Sequence, residues 1–394
     1  MNVKPRQIFI MVVTAISLFE LATSFYLPML SDIRRNLNTS EQYIQLSVSS
    51  YLIGLGIASL IFGSLSDIIG RRKVYITAVL IFTISSYLCS TATSALQLIF
   101  FRLLQGIGGG GGWPLGNAIL HDVYSGKKFS QKIILLHTIT GIVPLISLFA
   151  GGFIGDILGW RNSFVLIAGL SLIFLIISYK IFNETKNLSI TNHKKDFLIN
   201  YIQVLKSRKY NLNLIIKVIN VAILFVFMAN IPLIYAEKFA LSPINTSFAI
   251  MFGSIIYIFG SMISQNLSNK IRLEFVIVKG VWILTATSIL YLIFASKIND
   301  SLILTIMSTV PVSFAFAFIF GPSTSCVVSS AGKLSGSGSA LMLALEMAAS
   351  SIGIYVVSLF YNKTLIGFFI FTLICSVISL YVIKKIKKDA DTIN

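Results

Sequence analysis

Runs of about twenty apolar residues recur along the whole chain, and this repetition is the strongest constraint on its fold. A helix of roughly 20 residues spans a hydrocarbon core of about 30 Å, so each run is predicted to be a membrane-spanning helix. Only 11% of the 394 residues are charged, less than half of the share of about 25% that is typical of soluble domains. We therefore predict an all-α integral membrane protein with almost no room for a soluble domain.

Twelve such runs can be delimited. They lie at residues 8–30, 42–62, 74–93, 96–120, 131–155, 160–182, 211–235, 244–264, 274–295, 301–326, 335–360 and 364–383. The connection 183–210 is polar, basic and rich in Asn and Lys, and it separates the first six runs from the last six. The expected architecture is an N-terminal six-helix bundle (1–182), a cytoplasmic linker (183–210) and a C-terminal six-helix bundle (211–394).

A short charged segment, Gly63–Lys73, lies between the second and third runs and contains three cations and one carboxylate. Gly260–Lys270, about half the chain length later, repeats its outline, again between apolar runs. A repeat at this offset predicts two similar halves. The second copy has Ser264 at the position of Asp67 and no arginine pair, so the charged residues are concentrated in the first copy.

Lysine and arginine are distributed unevenly between the two ends of the predicted helices. If both termini and the linker are cytoplasmic, 23 of them lie inside and 6 outside. Because cationic residues collect in the cytoplasmic loops of membrane proteins, we predict a multi-pass protein of the cell inner (cytoplasmic) membrane with both termini in the cytoplasm. The same bias accounts for the net charge of +17. No nucleic-acid partner is expected, since the basic residues are scattered and no binding motif accompanies them.

No cofactor, metal site or catalytic group is predicted. Cys89, Cys326 and Cys375 lie in separate apolar runs and the three histidines are equally dispersed, so neither set has the spacing of a disulfide or a metal site. An enzyme would need convergent nucleophiles, metal ligands or paired carboxylates, and a receptor would need a sizeable soluble module. The expected partners are a small-molecule substrate, protons and the lipid bilayer, and we expect a monomer.

The first run contains a carboxyl group in its middle, Glu20, and Thr14, Ser17 and Ser24 share its helical face. An ionisable group at the bilayer centre costs about 2.5–3.5 kcal/mol and is a candidate functional group by default. We expect this polar stripe to face a cavity or a partner helix. Glu20 would either carry a proton or remain permanently neutral.

The fourth run contains Arg102, which begins a polar stripe that continues at Gln105. A guanidinium group stays charged, so its burial requires a partner, and Glu20 is the expected one. The pair would serve either proton coupling or a static contact between two helices.

The C-terminal half has few polar groups inside its runs. Glu346 lies about eleven residues into the eleventh run, where a functional role and structural pairing are equally consistent with the pattern. Lys217 is about two turns into the seventh run, and its long side chain is expected to extend to the cytoplasmic surface. The predicted substrate cavity is lined by Ser17, Ser24, Tyr26, Gln105, Asn220, Asn230 and Glu346.

Glycines are concentrated in the fourth and fifth runs. Gly106–Gly111 formally reads GxGxxG, but the dinucleotide fingerprint requires a preceding strand, and this segment lies inside a spanning helix. We interpret these glycines as small residues that let another helix approach closely. The fifth run contains Gly141, Pro144, Gly151 and Gly152, a small-residue face with a helix-breaking point that would suit a gating helix.

Two motifs resemble the major facilitator superfamily, and the similarity extends over essentially the full chain. The signature loop of that superfamily is similar to Gly63-x-x-x-Asp67-x-x-Gly70-Arg71-Arg72-Lys73. A motif of its drug:proton antiporters is similar to Arg102-x-x-Gln105-Gly106-x-Gly108. Three further segments resemble the bicyclomycin/chloramphenicol-resistance branch, namely Tyr26-Leu27-Pro28, Asp122-Val123-Tyr124 and Pro144 with Gly151-Gly152.

The resemblance implies two six-helix bundles that rock around a central cavity and are driven by the proton gradient. It implies that Arg102 takes part in proton coupling, and that Gly151 and Gly152 lie in the antiporter motif where the bundles meet. It also implies a gating loop that holds the cytoplasmic side closed, formed by Gly63, Asp67, Gly70, Arg71 and Arg72.

Three positions depart from the family pattern. Antiporter relatives carry an acidic residue where this chain has Ser24, and Glu20, one turn earlier on the same face, is the expected substitute. Leu148 replaces a proline that usually precedes the paired glycines of the fifth run, and Ile68 replaces a common arginine in the signature loop. We expect a proton-coupled secondary transporter that exports hydrophobic or weakly cationic drugs or metabolites, as in multidrug efflux and antibiotic resistance. A proton symporter that imports a small metabolite is the alternative.

Overall fold

The computed structural model describes residues 5–185 and 196–391. In the first range the helices are α1 Pro5–Ser24, α2 Leu30–Asn36, α3 Glu41–Ile69, α4 Arg71–Thr91, α5 Ala95–Gly109, α6 Gly112–Val123, α7 Gly126–Leu158 and α8 Trp160–Ile181. In the second they are α9 Asp196–Leu205, α10 Arg208–Lys238, α11 Pro243–Ser268, α12 Leu273–Ile293, α13 Ala295–Asn299, α14 Leu302–Ser330, α15 Ser335–Ser358 and α16 Ile366–Asp391. Within these ranges no strand occurs, in agreement with the predicted all-α class.

Ten helical spans in the described ranges are long and apolar enough to cross a membrane. The remaining two predicted runs have shorter apolar helices. The run 96–120 is divided into α5 and α6 at Gly110 and Gly111, because consecutive glycines each cost about 1 kcal/mol in a helix interior. The run 131–155 lies within α7, whose apolar stretch is Ile142–Leu158.

The chain divides into two compact units. The first consists of Met1–Phe197 with Ser242–Ile244, and the second of Leu198–Leu241 with Asn245–Asn394. In the first unit α3 packs against α5, α4 packs against α5 and α8, and α1 packs against α6 and α7.

Glycine allows two of the helix contacts in the first unit to be unusually close. A Cβ on Gly106 of α5 would overlap the carbonyl oxygen of Tyr51 in α3, and a Cβ on Gly151 of α7 would overlap the carbonyl oxygen of Phe25 just after α1. In both places one helix rests directly on the backbone of another. This agrees with the interpretation of these glycines as positions of close helix approach.

In the second unit α10 packs against α14, α15 and α16, and α12 packs against α14 and α16. Phe227 of α10 lies between Phe316 of α14 and Phe368 of α16, with ring centroids 6.5 and 5.4 Å away. Part of the predicted linker is helical, because α9 lies within it, and Val204 of α9 packs in one apolar cluster with Tyr210. Linker residues 186–195 lie outside the described ranges.

Candidate functional site

The charged segment Gly63–Lys73 is mostly helical rather than an open loop. Helix α3 continues to Ile69, and Gly70 makes the turn to α4 with φ of 101°. That value lies in the left-handed region, which glycine enters at little cost. The Gly63 carbonyl accepts a hydrogen bond from the Ser66 hydroxyl at 2.6 Å, inside the last turns of α3.

Arg71 is the centre of an ionic cluster at this turn, and it is buried. Its Nη2 lies 2.8 Å from Asp67 Oδ1, and its Nε donates to Asp122 Oδ2 at 3.0 Å, just before the end of α6. Its Nη1 donates to the Ser66 hydroxyl. The predicted gating residues Asp67 and Arg71 are therefore joined inside the first unit, together with Asp122.

Glu184 caps the N-terminus of α4, and the sequence patterns did not single it out. Its carboxylate accepts hydrogen bonds from the backbone N–H groups of Arg71 at 2.8 Å and Arg72 at 3.2 Å. A carboxylate is stabilised there because the first amides of a helix lack partners and carry partial positive charge. The Arg72 side chain donates to the carbonyl of Tyr179 in α8 at 2.9 Å. The start of the predicted linker is thus anchored to the charged turn.

Arg102 on α5 is fully buried and lies between two aromatic rings. Its guanidinium carbon is 4.1 Å from the ring centroid of Tyr26 and 4.0 Å from that of Tyr51. Its Nη1 donates to Gln105 Oε1 and, at 3.2 Å, to the carbonyl of Ala22. A desolvated cation–π contact is worth up to about 2 kcal/mol, so the two rings provide much of what holds this charge in the interior.

Gln105 fixes the position of that guanidinium. It is fully buried, its oxygen accepts from Arg102, and its Nε2 donates to the hydroxyl of Ser86 in α4 at 2.7 Å. Both the oxygen and the nitrogen of the Gln105 side-chain amide are therefore hydrogen-bonded to other side chains.

Glu20 and Arg102 do not form the expected ion pair in the part of the chain that the structure describes. Glu20 Oε1 instead accepts a hydrogen bond from the indole Nε1 of Trp113 in α6 at 3.0 Å, and the side chain is half-buried. The pairing failed as a prediction because a sequence pattern does not reveal the rotation of α1 and α5 about their axes. Tyr51 contacts Arg102 and also the residue before Glu20. Its ring lies against the Arg102 guanidinium, and its hydroxyl donates to the carbonyl of Phe19 at 2.9 Å.

The other predicted residues of the first unit lie on α1 and α7, two helices that pack against each other. Ser24 is buried and Ser17 is half-buried. Ser147 of α7 donates to the carbonyl of Leu21 at 2.8 Å, one turn before Gly151. Pro144 lies inside α7, and the helix continues through Gly141, Gly151 and Gly152. Pro144 was predicted to be a helix-breaking point, but α7 continues through it without interruption.

In the second unit Glu346 and Lys217 form an ion pair. Lys217 Nζ lies 3.8 Å from Glu346 Oε1, and the two residues are 1% and 4% exposed. The prediction that Lys217 extends to the cytoplasmic surface is therefore wrong. Its ammonium lies inside the packing of α10, α14 and α15, donating to the carbonyl of Phe320 at 3.3 Å.

The two asparagines of α10 occupy different surroundings. Asn220 Nδ2 donates to the Ser379 hydroxyl in α16 at 3.1 Å, and Asn220 lines a crevice with Lys217, Phe316 and Phe320. Asn230 Nδ2 donates to the carbonyl of Val226 in its own helix at 2.8 Å. The structure thus groups Asn220 with the Lys217–Glu346 pair and places Asn230 more than two turns further along α10.

Several residues of these sites escaped sequence reasoning, above all Tyr51, Trp113 and Glu184. The first two are aromatic residues inside apolar runs, where an amphipathic ring is indistinguishable from core. The sequence did contain a signal for Glu184. It is an acidic residue directly after an apolar run in a chain with few carboxylates, and such a residue needs a cationic or amide partner.

Comparison with known proteins gives a family. Residues 12–354 match the family model of the Major Facilitator Superfamily. The "Uncharacterized MFS-type transporter YdgK" of Bacillus subtilis (strain 168) is 35% identical over 155 residues, which cover 38% of this chain and 39% of that protein. The "Multidrug resistance protein MdtL" of Salmonella typhimurium is 28% identical over 225 residues, which cover 57% of each protein. The chain thus spans 39% to 57% of the length of these relatives.

Solved structures share the fold at low sequence identity. A bacterial homologue of the human lysosomal transporter Spinster superimposes with a TM-score of 0.77 at 12% identity, over 98% of both chains. The xylose transporter XylE from E. coli gives 0.72 at 16% identity, over 97% of both chains. These likenesses confirm the predicted all-α membrane fold and concern the fold alone. Because the family model covers most of the sequence and the fold agrees with it, the chain belongs to the Major Facilitator Superfamily.

Proposed function

We propose that the protein is a proton-coupled secondary transporter that exports hydrophobic or weakly cationic compounds by alternating access. The observation that carries this proposal is the separation of Glu20 from Arg102. Glu20 is half-buried and bonded to the indole of Trp113, whereas Arg102 is fixed by Gln105 and two tyrosine rings. Glu20 can therefore gain or lose a proton without breaking an ion pair.

Arg102 supplies a permanent positive charge near that carboxyl. Its guanidinium donates to the carbonyl of Ala22, two residues after Glu20 on the same helix. In the proposed cycle Glu20 releases its proton while Arg102 keeps its charge and its hydrogen bonds to Gln105 and the carbonyl of Ala22. A weakly cationic substrate would then bind the ionised carboxylate and leave when the next proton arrives.

The remaining predicted residues take supporting roles in this proposal. Ser17 and Ser24 line the substrate path beside Glu20, while Tyr26 and Gln105 hold Arg102. Asp67, Gly70, Arg71 and Arg72 form the gate that closes the cytoplasmic side, and Gly151 and Gly152 let α7 move against its neighbours.

The relatives support export in particular, since one of them is named a multidrug resistance protein. We further propose that the protein lies in the cell inner membrane with both termini in the cytoplasm, an orientation supported by the uneven distribution of lysine and arginine between the two ends of the helices. We also propose that it is a monomer.

A proton symporter that imports a small metabolite is the second candidate. The observation in its favour is that Ser24 is buried at the position where antiporter relatives have their acidic residue. Leu148, which stands in place of a proline, is also buried. Accumulation in right-side-out vesicles but not in everted vesicles would favour the symporter, and the reverse would favour the exporter.

Substrate-driven proton release from proteoliposomes tests the coupling. Glu20→Gln should abolish the release, because the amide cannot take up a proton. Glu274→Gln is the matched control, since Glu274 lies in the first turn of α12 and contacts only Arg272 among the ion pairs of the described residues. Undiminished release by Glu20→Gln would refute the proposed role of Glu20.

A further inference from the structure

The second unit contains a pair of opposite charges that the proposed mechanism does not use. Lys217 lies about two turns into the run 211–235, and Glu346 lies about eleven residues into the run 335–360. Both side chains are almost fully buried, so this charge pair lies between two helices that are long and apolar enough to cross a membrane.

The contact between the two charges is loose. Lys217 Nζ and Glu346 Oε1 are 3.8 Å apart, which is longer than a hydrogen bond. Within the described structure Glu346 Oε1 has no hydrogen-bond partner. The carboxylate is therefore held by charge attraction alone at this oxygen, and a proton could be added there without displacing a donor.

Lys217 has a second set of contacts that do not involve Glu346. Its Nζ lies 3.3 Å from the carbonyl oxygen of Phe320 and 3.4 Å from the centroid of the Phe320 ring. Asn220 lines the same crevice, and its Oδ1 is buried with no hydrogen-bond partner among the described residues. When Glu346 is neutral, the ammonium still has a carbonyl, an aromatic face and a nearby amide oxygen.

These contacts lower the cost of neutralising one partner. Neutralising one member of a buried ion pair is costly chiefly because the other charge is left stranded. The carbonyl and the ring of Phe320 already contact the Lys217 ammonium while the pair is formed, so both contacts persist when Glu346 is neutral. The geometry therefore supports two charge states, with Glu346 ionised or protonated and Lys217 charged in both.

Few other titratable groups act on this carboxyl. Besides Lys217, α10 contributes Tyr210, whose hydroxyl donates to the carbonyl of Gly338 in α15 at 2.7 Å. Helix α14 contains no charged residue, and Cys326 is its single titratable group. The charges of α16 all follow Tyr381, and Cys375 is its other titratable group.

We propose that Glu346 is a second proton-binding site, located in the second unit, with Lys217 as its retained counter-ion. The proton enters from water on one side of the membrane and leaves to water on the other, while Lys217 keeps its contacts with Phe320 and turns toward the Oδ1 of Asn220. This inference rests on the proposed proton coupling and adds to it a second carboxyl, so that each cycle moves more than one proton.

Infrared difference spectroscopy between high and low pH tests the site directly on the full chain in lipid nanodiscs. Of the 14 acidic residues, Glu20 and Glu346 lie in the middle of predicted spans. We expect carboxylic acid C=O bands from both. Glu20→Gln should remove one band, and Lys217→Met with Glu346→Met should remove the other.

The double variant keeps the test valid if a single substitution prevents folding, because replacing a buried ion pair by apolar residues is often neutral or stabilising. A difference spectrum unchanged in the double variant would overturn the proposal and leave the pair static. The two hypotheses fail separately, since proton release that is undiminished in Glu20→Gln refutes the coupling role of Glu20 without altering the Glu346 band. In proteoliposomes the reversal potential of the double variant should report one proton fewer per substrate, and an unchanged ratio would also contradict the proposal.

Discussion

Gly151→Ala should destabilise the first unit severely, because α7 rests on the backbone at the end of α1. A Cβ at this position would overlap the carbonyl oxygen of Phe25 and lie 2.7 Å from its carbonyl carbon. Ordinary van der Waals contact begins near 3.4 Å, so relieving the overlap with the carbonyl oxygen would force the two segments apart by more than about 1 Å. Overpacking of this kind costs about 1–3 kcal/mol.

The separation also stretches a neighbouring hydrogen bond. Ser147, one turn before Gly151, donates to the carbonyl of Leu21 at 2.8 Å, and such a bond contributes about 0.5–1.5 kcal/mol. Alanine regains about 0.5–1 kcal/mol in helix propensity at this helical position, so the expected net loss in free energy of unfolding is about 1–4 kcal/mol. Unfolding midpoints of the purified full chain in detergent, under increasing denaturant, would measure it.

Gly169→Ala is the matched control, because nothing lies within 4 Å of a Cβ at Gly169 in α8. Alanine is a better helix former than glycine by about 0.5–1 kcal/mol, so this variant should be neutral or slightly more stable. If Gly151→Ala and Gly169→Ala unfold at the same midpoint, the close contact of α1 and α7 is not what stabilises this unit.

Two further substitutions test the remaining sites. Asp67→Asn should reduce transport while leaving membrane insertion intact, and it should change stability by less than about 1 kcal/mol because the Asp67 side chain is 56% exposed. Asp32→Asn, which removes a half-buried carboxylate paired within its helix, is the control, and equal transport by the two variants would leave Asp67 without a gating role. Tyr51→Phe keeps the ring beside Arg102 and loses the hydroxyl bond to Phe19, so it should cost about 0.5–1.5 kcal/mol in thermal unfolding. Tyr51→Leu should cost up to about 2 kcal/mol more, since it also removes the cation–π contact; equal losses would mean that the ring does not stabilise Arg102.

Membrane-spanning helices could be located from the sequence because their signal is local. The twelve predicted runs correspond to helices in the structure, since each run had to satisfy its backbone hydrogen bonds within itself to enter lipid. Two runs are not continuous helices. In 8–30, α1 ends at Ser24 and α2 begins at Leu30, and in 96–120 the glycines that allow α3 to approach also divide the run into α5 and α6.

Pairing between helices was predicted less well. Arg102 was expected against Glu20, and the structure places it between Tyr26 and Tyr51. Lys217 was expected at the surface, and the structure pairs it with Glu346. Each error has the same origin, because a sequence shows how far a residue lies along a helix but not which neighbour its side chain meets.

The sequence by itself therefore determined the helical class, the number of apolar runs, the family motifs and the inventory of charges inside the runs. Those properties depend on hydrophobic length and on composition along one chain segment. The tertiary structure decided how the charges are used, that is, Arg102 held by aromatic rings, Glu20 bonded to Trp113, and Lys217 against Phe320. These contacts depend on the rotation and crossing of helices, which the glycine contacts at Gly106 and Gly151 help to set. Packing of small residues against backbone thus brings together polar groups that are far apart in the sequence.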